Sequence, residues 1–217
     1  MSDFTDAREA MINGQLRPNK IVDAAVLSAI RAVPRELFVP KAKRAMAYVD
    51  EDIEVLPGRW LMEPVVFGRL IEAADISASD AVLDIGCLYG YSAAVFAQLA
   101  NVVVGVEDDA GVVERANEML TELGLGTAAV VENTLVDGYD KEAPFDVVFI
   151  GGAVERIPRA IVDQLAEGGR LITVQVKNGV GRCVLGKKVA GVFGLSAFMD
   201  AQVPLLDAFS LPDTFSF

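Results

Sequence analysis

Ala81-Val-Leu-Asp-Ile-Gly-Cys-Leu-Tyr-Gly-Tyr-Ser-Ala-Ala-Val95 decides the fold. An apolar run from Ala81 to Ile85 carries an acid, Asp84, near its end, and glycines follow at 86 and 90. An amphipathic run, Tyr91 to Ala100, comes next. The order predicts a strand, a tight loop and a helix, with backbone N–H groups and a helix N-terminus turned toward a ligand. A second apolar run, Val102 to Glu107, ends in an acid about 20 residues after the first glycine, where a carboxylate can accept both hydroxyls of a ribose. Strand, glycine loop, helix, strand and acid make a nucleoside-binding βαβ unit. The blander reading is an ordinary βαβ unit whose glycines serve packing; loop and acid together at this spacing favour the binding unit.

The glycines also separate cofactors. A dinucleotide loop wants G-x-G-x-x-G so that the backbone can approach a pyrophosphate. Gly86-Cys-Leu-Tyr-Gly90 lacks the middle glycine, and Asp84 precedes the first. The pattern is closer to the S-adenosylmethionine loop D/E-x-G-x-G-x-G, with Leu88 in place of a glycine. If position 88 needs a positive φ, leucine there costs about 1–2 kcal/mol and its side chain crowds the pocket.

Composition narrows the chemistry. A chain of 217 residues suits one α/β domain with a substantial core. No apolar run reaches the ~18 residues of a membrane span. Met1-Ser-Asp-Phe-Thr-Asp6 is acidic and lacks an apolar stretch, which predicts no signal peptide and a cytoplasmic chain. A formal charge of −12 argues against nucleic acid as a partner. The chain has no histidine, which excludes Ser-His and Cys-His pairs, and no metal site is expected. Cys87 and Cys183 have neither metal nor disulfide spacing, and Cys87 reads as a small packing residue. Methyl transfer to a carboxylate remains open, because that nucleophile is already ionised at pH 7.

Along the chain, residues 1–78 read as a helical extension. Val22, Val26, Ala29, Ile30 and Val33 share one helical face ended by Pro34, Lys41 to Ala47 reads as a short basic helix, and Val55 to Pro64 reads as a loop. In that loop Arg59 reads as a solvated side chain, with steering of an acidic substrate as the alternative. Pro64 opens a helix to about Ala74. Residues 79–176 then alternate strands at 81–85, 102–107, 127–131, 145–150 and 170–176 with helices at 91–100, 109–123 and from Pro158 to the glycines at 168 and 169. Apolar strands alternating with helices predict a doubly wound, mostly parallel sheet. Residues 177–217, with strands near 182–190, 192–203 and 213–217, are expected to close one edge in antiparallel fashion.

Five segments resemble the protein-L-isoaspartate O-methyltransferase family over nearly the whole chain. They are Gln15-Leu-Arg17 with Val33-Pro-Arg-Glu-Leu-Phe-Val-Pro40, the glycine loop with Glu107, the stretch Gly138 to Asp146, Ile157-Pro158, and Gln164 to Leu171. The resemblance implies a seven-stranded, Rossmann-like methyltransferase α/β fold with an N-terminal helical extension. It implies S-adenosylmethionine as cofactor, a protein or peptide carboxylate (or an acidic small molecule) as acceptor, and a role in protein repair. It places Glu63, Asp84, Gly86, Cys87, Leu88, Gly90, Glu107, Asp108, Thr134 and Leu135 about the cofactor. It assigns no catalytic residue. The family carries a Thr-Ile-Ser-x-Pro segment with its serine at the reaction centre; aligned on Pro64, this chain reads Trp60-Leu-Met-Glu-Pro, so Met62 takes the serine's place. A Gly-Asp-Gly that puts an acid near the adenine aligns with Asn133-Thr-Leu135, so Thr134 takes the acid's place. Two readings stay open: a carboxylate O-methyltransferase with weak activity on isoaspartyl peptides, and a non-catalytic binding protein on the same fold. A nicotinamide-dependent oxidoreductase is disfavoured by the missing glycine.

Overall fold

A computed structural model describes residues 4–211. Two helices, α1 (Phe4–Met11) and α2 (Ala24–Ala32), lead the chain. Asp23 caps α2, its Oδ1 accepting from the N–H groups of Ala25 (2.7 Å) and Val26 (2.9 Å). Val26, Ala29 and Ile30 are buried as their spacing predicts, but Val22 precedes the cap and is exposed. Lys41–Met46 forms a 3₁₀ turn.

The stretch expected to be a loop is partly a hairpin. Strands β1 (Ile53–Leu56) and β2 (Arg59–Leu61) pair antiparallel around Pro57-Gly58, with Gly58 at φ +72°. Ile53, Val55 and Leu61 turn inward while the tip stays exposed. Pro64 then opens α3 (Pro64–Ala74) at its first turn, where a missing N–H costs nothing.

The core alternates as expected: β3 (Ala81–Ile85), α4 (Tyr91–Phe96), β4 (Val102–Glu107), α5 (Ala110–Glu122), β5 (Ala128–Glu132), β6 (Phe145–Val154), α6 (Arg159–Asp163) and β7 (Leu165–Lys177). Helix α4 stops at Phe96 because the next turns tighten, Gln98 N–H bonding Val95 O. Helix α6 does not run on to the glycines; β7 begins at Leu165, and Gly168 (φ +80°) lies within an irregularity of its pairing with β6. β8 (Val180–Val189) and β9 (Val192–Asp200) close the edge in antiparallel fashion. The strand expected at 213–217 falls outside the described residues.

The seven strands lie in the order β5-β4-β3-β6-β7-β8-β9. β3 pairs in parallel with β4 on one side and with β6 on the other, so the strand order reverses there. A crevice opens at such a switch point, outside the carboxyl ends of the strands. An aromatic cluster fills the sheet face beneath it. The ring centre of Phe67 lies 5.5 Å from that of Tyr91 and 5.6 Å from that of Phe149, and that of Phe38 lies 5.6 Å from that of Tyr91, each pair edge-on or tilted. Phe38 and Arg35 thereby bring the N-terminal segment to the crevice end of the sheet. Arg35 is fully buried; its Nε donates to Ala47 O and its Nη2 to Met62 O, both at 2.8 Å, and its guanidinium sits 4.9 Å from the Tyr91 ring centre. No helix among the described residues is long and apolar enough to cross a membrane.

Candidate cofactor site

The glycine loop joins β3 to α4 at the reversal of strand order. Gly86 (φ +77°) and Gly90 (φ +90°) take conformations that side chains oppose, and Gly90 N–H closes the turn on Cys87 O at 2.9 Å. Gly151, at the far end of β6, presses against the same loop: a Cβ there would lie 2.8 Å from Gly86 O. Between the glycines stands Leu88 at φ +54°, the positive φ on which the leucine penalty depended.

Two acids flank the loop, both fully buried. Glu107 ends β4; its Oε1 accepts from Leu88 N–H (2.5 Å) and from Arg59 Nη2 (2.6 Å), and its Oε2 has no partner. Neither oxygen of Asp84 receives a hydrogen bond of good geometry, the Ser92 hydroxyl lying close enough only to act on its charge. Burial drives the Asp84 carboxyl up to about 8; the neighbouring Ser92 hydroxyl opposes the rise and the Glu107 charge adds to it. Three unsatisfied carboxylate oxygens in one buried place are costly and call for a partner. A ligand with an ammonium group and a ribose suits them: Asp84 for the cation, Glu107 Oε2 for a hydroxyl.

The crevice itself is narrow. Trp60, Met62, Leu88, Tyr91, Phe149 and Gly151 are among the residues that line about 20 Å³ of open volume, room for about one water. Leu206 covers the loop from the other side, 3.2 Å from where a Gly86 Cβ would stand. It is held there by the bonds Leu206 N–H to Ala153 O (2.9 Å) and Ala153 N–H to Pro204 O (3.0 Å).

The structure brings Asp84, Gly86, Cys87, Leu88, Gly90 and Glu107 together. Cys87 packs behind the loop, its thiol pushed up by burial, which makes it inert. Asp108 is exposed, 3.6 Å from Arg59 Nη1. Thr134 is exposed and its carbonyl accepts from Asp137 N–H, while Leu135 is buried in the core on the other face of the sheet. Glu63 does not line the crevice. It is half-buried at the start of α3, its N–H donating to Asp52 Oδ1 (2.8 Å). Burial and the charges of Asp52, Asp50 and Glu51 raise its carboxyl to about 7. Arg59 is not the solvated side chain expected of a loop arginine but the partner of Glu107, 48 residues away. Gly151 had a sequence signal, a Gly-Gly pair after an apolar strand, which marks close backbone approach; Ser92, Phe149 and the pairing of Arg59 with Glu107 had none.

Leu88 sets up a trade. Leu88→Gly relieves a left-handed leucine but removes a side chain only 4% exposed. The cavity cost of about 3–5 kcal/mol outweighs the ~1–2 kcal/mol recovered, so a net loss of about 1–4 kcal/mol is expected. Urea denaturation checks it. In the same variant, calorimetry should find S-adenosylhomocysteine bound more tightly than by the native chain. Unchanged affinity would mean that the leucine does not crowd the site.

A parallel sheet with this reversal, a glycine loop at it and an acid ending the next strand define an α/β protein of the methyltransferase kind. The comparisons are more particular. The sequence profile described as Protein-L-isoaspartate(D-aspartate) O-methyltransferase (PCMT) matches residues 6–193. A protein-L-isoaspartate O-methyltransferase of Methanoculleus marisnigri is 39% identical over 165 residues, 76% of this chain and 75% of the relative. One from Syntrophobacter fumaroxidans is 36% identical over 174 residues, 79% of this chain and 80% of the relative. The chain belongs to the protein-L-isoaspartate O-methyltransferase family. Among solved structures, a protein-L-isoaspartate O-methyltransferase superposes over 90% of this chain and 64% of its own, with a TM-score of 0.78 at 23% identity. The Plasmodium falciparum beta-aspartate methyltransferase in complex with S-adenosyl-L-homocysteine superposes over 90% of this chain and 96% of its own, with a TM-score of 0.74 at 18% identity. These two show the shared fold.

Proposed function

We propose that this chain moves a methyl group from S-adenosylmethionine to a carboxylate of a protein or peptide, with Asp84 and Glu107 as its cofactor-holding acids. The observation that carries the reading is the trio of buried, unpartnered oxygens, Asp84 Oδ1, Asp84 Oδ2 and Glu107 Oε2, beside the glycine loop. Asp84 would take the ammonium group, Glu107 a ribose hydroxyl, the Gly86–Gly90 backbone the amino-acid portion, and Thr134 the flank of the adenine, with Leu135 packed in the core behind it. The bound cofactor supplies an electrophilic methyl group on a sulfonium. The protein's share is positioning and dryness. An ionised acceptor carboxylate needs no base, which suits a chain without histidine. Trp60, Leu61, Met62, Phe67 and Phe149 make apolar walls that keep water from the acceptor.

Calorimetry with S-adenosylhomocysteine, together with methyl transfer from radiolabelled S-adenosylmethionine to an isoaspartyl peptide, tests the reading. Binding is expected, and Asp84→Asn should weaken it about tenfold or more, since a charged acceptor contributes about 1.5–3 kcal/mol. Heat with NAD and none with either adenosyl ligand would remove the assignment. Binding with no transfer to any carboxylate would leave a binding protein rather than an enzyme.

A further inference from the structure

We infer that Arg59 is a tethered occupant of the ribose site. Its guanidinium takes Glu107 Oε1 and stands against Gly86, on the ground beside the free Oε2 that an adenosyl ribose would fill, so the ligand enters only when the β1–β2 hairpin carries Arg59 away. This rests on the reading of Glu107 as the ribose acceptor.

Four observations support it. Arg59 Nη2 lies 2.6 Å from Glu107 Oε1, and its Nη1 lies 3.6 Å from Asp108, the next acid on the same strand end. The Glu107 side chain is fully buried and that of Arg59 is 19% exposed, so water screens this pair little. The same Nη2 stands 3.5 Å from where a Cβ on Gly86 would be, which places the guanidinium against the glycine loop, on ground a ligand at that loop would need. Arg59 is carried on a movable support. The hairpin strands have four and three residues, and a two-stranded ribbon of that size is marginal by itself. Its inner side is anchored by Ile53, Val55 and Leu61, whereas Pro57 and Gly58 at the tip are exposed, with open space where a Gly58 Cβ would stand and the Gly58 N–H bonded only within the hairpin, to Glu54 Oε1 at 3.2 Å. Tip movement detaches Arg59 without unpacking the core.

Cofactor affinity then carries a conformational charge: the apparent dissociation constant is the intrinsic one divided by the fraction of molecules with Arg59 released. Replacing Arg59 removes that factor. S-adenosylhomocysteine is the suitable probe, because without a sulfonium its ammonium and carboxylate leave it net neutral, and a gain in its binding is not mere attraction of a net cation to the freed acids. Trp60, the chain's single tryptophan, adjoins Arg59 on β2 and reports the hairpin directly.

The experiment compares the native chain with Arg59→Ala by calorimetry with S-adenosylhomocysteine and by acrylamide quenching of Trp60 without ligand. At least tenfold tighter binding and stronger quenching are expected in the variant. Equal or weaker binding by Arg59→Ala overturns the inference. Should neither protein bind S-adenosylhomocysteine, the cofactor reading fails, and the quenching decides the tether: a rise in Arg59→Ala supports it and no change overturns it. Arg59→Gln, which leaves Glu107 a neutral donor, takes the place of Arg59→Ala if the alanine variant does not fold, with the same readings deciding.

Discussion

Asp84→Asn is expected to stabilise the protein at neutral and alkaline pH, and by more as the pH rises from about 4 to about 8. The Asp84 carboxyl is raised from 3.8 to about 8 in the folded chain. Between those values the unfolded chain has released its proton while the folded chain still holds it. The native state therefore binds more protons, and stability falls with rising pH across the window. Asparagine has the same shape and nothing to ionise, so it removes this slope. At about 1.4 kcal/mol per pK unit, the full span has an upper bound of about 6 kcal/mol. Glu63, raised to about 7, tilts the native curve the same way, and Asp80, lowered through its bonds to Ser77 and Arg170, tilts it oppositely at acid pH. Both persist in the variant, so the difference between the two proteins isolates Asp84. Urea denaturation at pH 5, 6, 7 and 8 measures it. Parallel stability curves would mean that Asp84 is ionised and satisfied in the folded state. The same substitution should weaken S-adenosylhomocysteine binding, which makes the instability of Asp84 a cost of the site rather than a flaw of packing.

What the sequence disclosed follows from the range of each interaction. The buried strands were legible because parallel strands covered on both faces need near-continuous apolar runs such as Val147-Val-Phe-Ile150, or Ala81-Val-Leu-Asp-Ile85 broken only by its site acid. The loop and its two acids were legible because their spacing along a βαβ unit is local. The β1–β2 hairpin was not, because Pro57-Gly58 reads equally well as loop punctuation and each strand is too short for alternation to stand out. The end of α6 was misplaced because Gly168 and Gly169 look like a helix stop yet sit in an irregular stretch of β7. The bond from Arg59 to Glu107 was invisible for a stronger reason. A salt bridge between residues 48 apart leaves no periodic trace, and only the meeting of the hairpin tip with the end of β4 creates it. The resemblance put Glu63 about the cofactor, but α3 begins there and the charges nearest its carboxyl are those of Asp52, Asp50 and Glu51.

Met62→Ser is expected to raise methylation of isoaspartyl peptides by about 10²–10³ over the native chain. Position 62 faces the crevice with Leu88, Ser92 and Phe149, and Arg35 fixes its backbone through the Met62 carbonyl. The family pattern puts a serine there, whose hydroxyl can orient an acceptor carboxylate. A thioether has no proton to donate. One positioning hydrogen bond in a site closed to water contributes about 3–4 kcal/mol to the transition state, which sets the factor. The native chain should accordingly turn over far more slowly than the ~10 s⁻¹ usual for enzymes. Methionine is 4% exposed here, so serine also leaves a cavity that costs a few kcal/mol of stability, and the assay belongs at low temperature. Met62→Ala controls for the added space, since it opens the same volume without a hydroxyl. Methanol released from a peptide labelled by radioactive S-adenosylmethionine gives the rate. A gain in the serine variant and none in the alanine variant would assign the deficit to the missing donor. Equal gains would assign it to crowding by the methionine. Fast turnover by the native chain would mean that another group already holds the acceptor, and Ser92, the neighbouring hydroxyl in the same crevice, would be the first to replace.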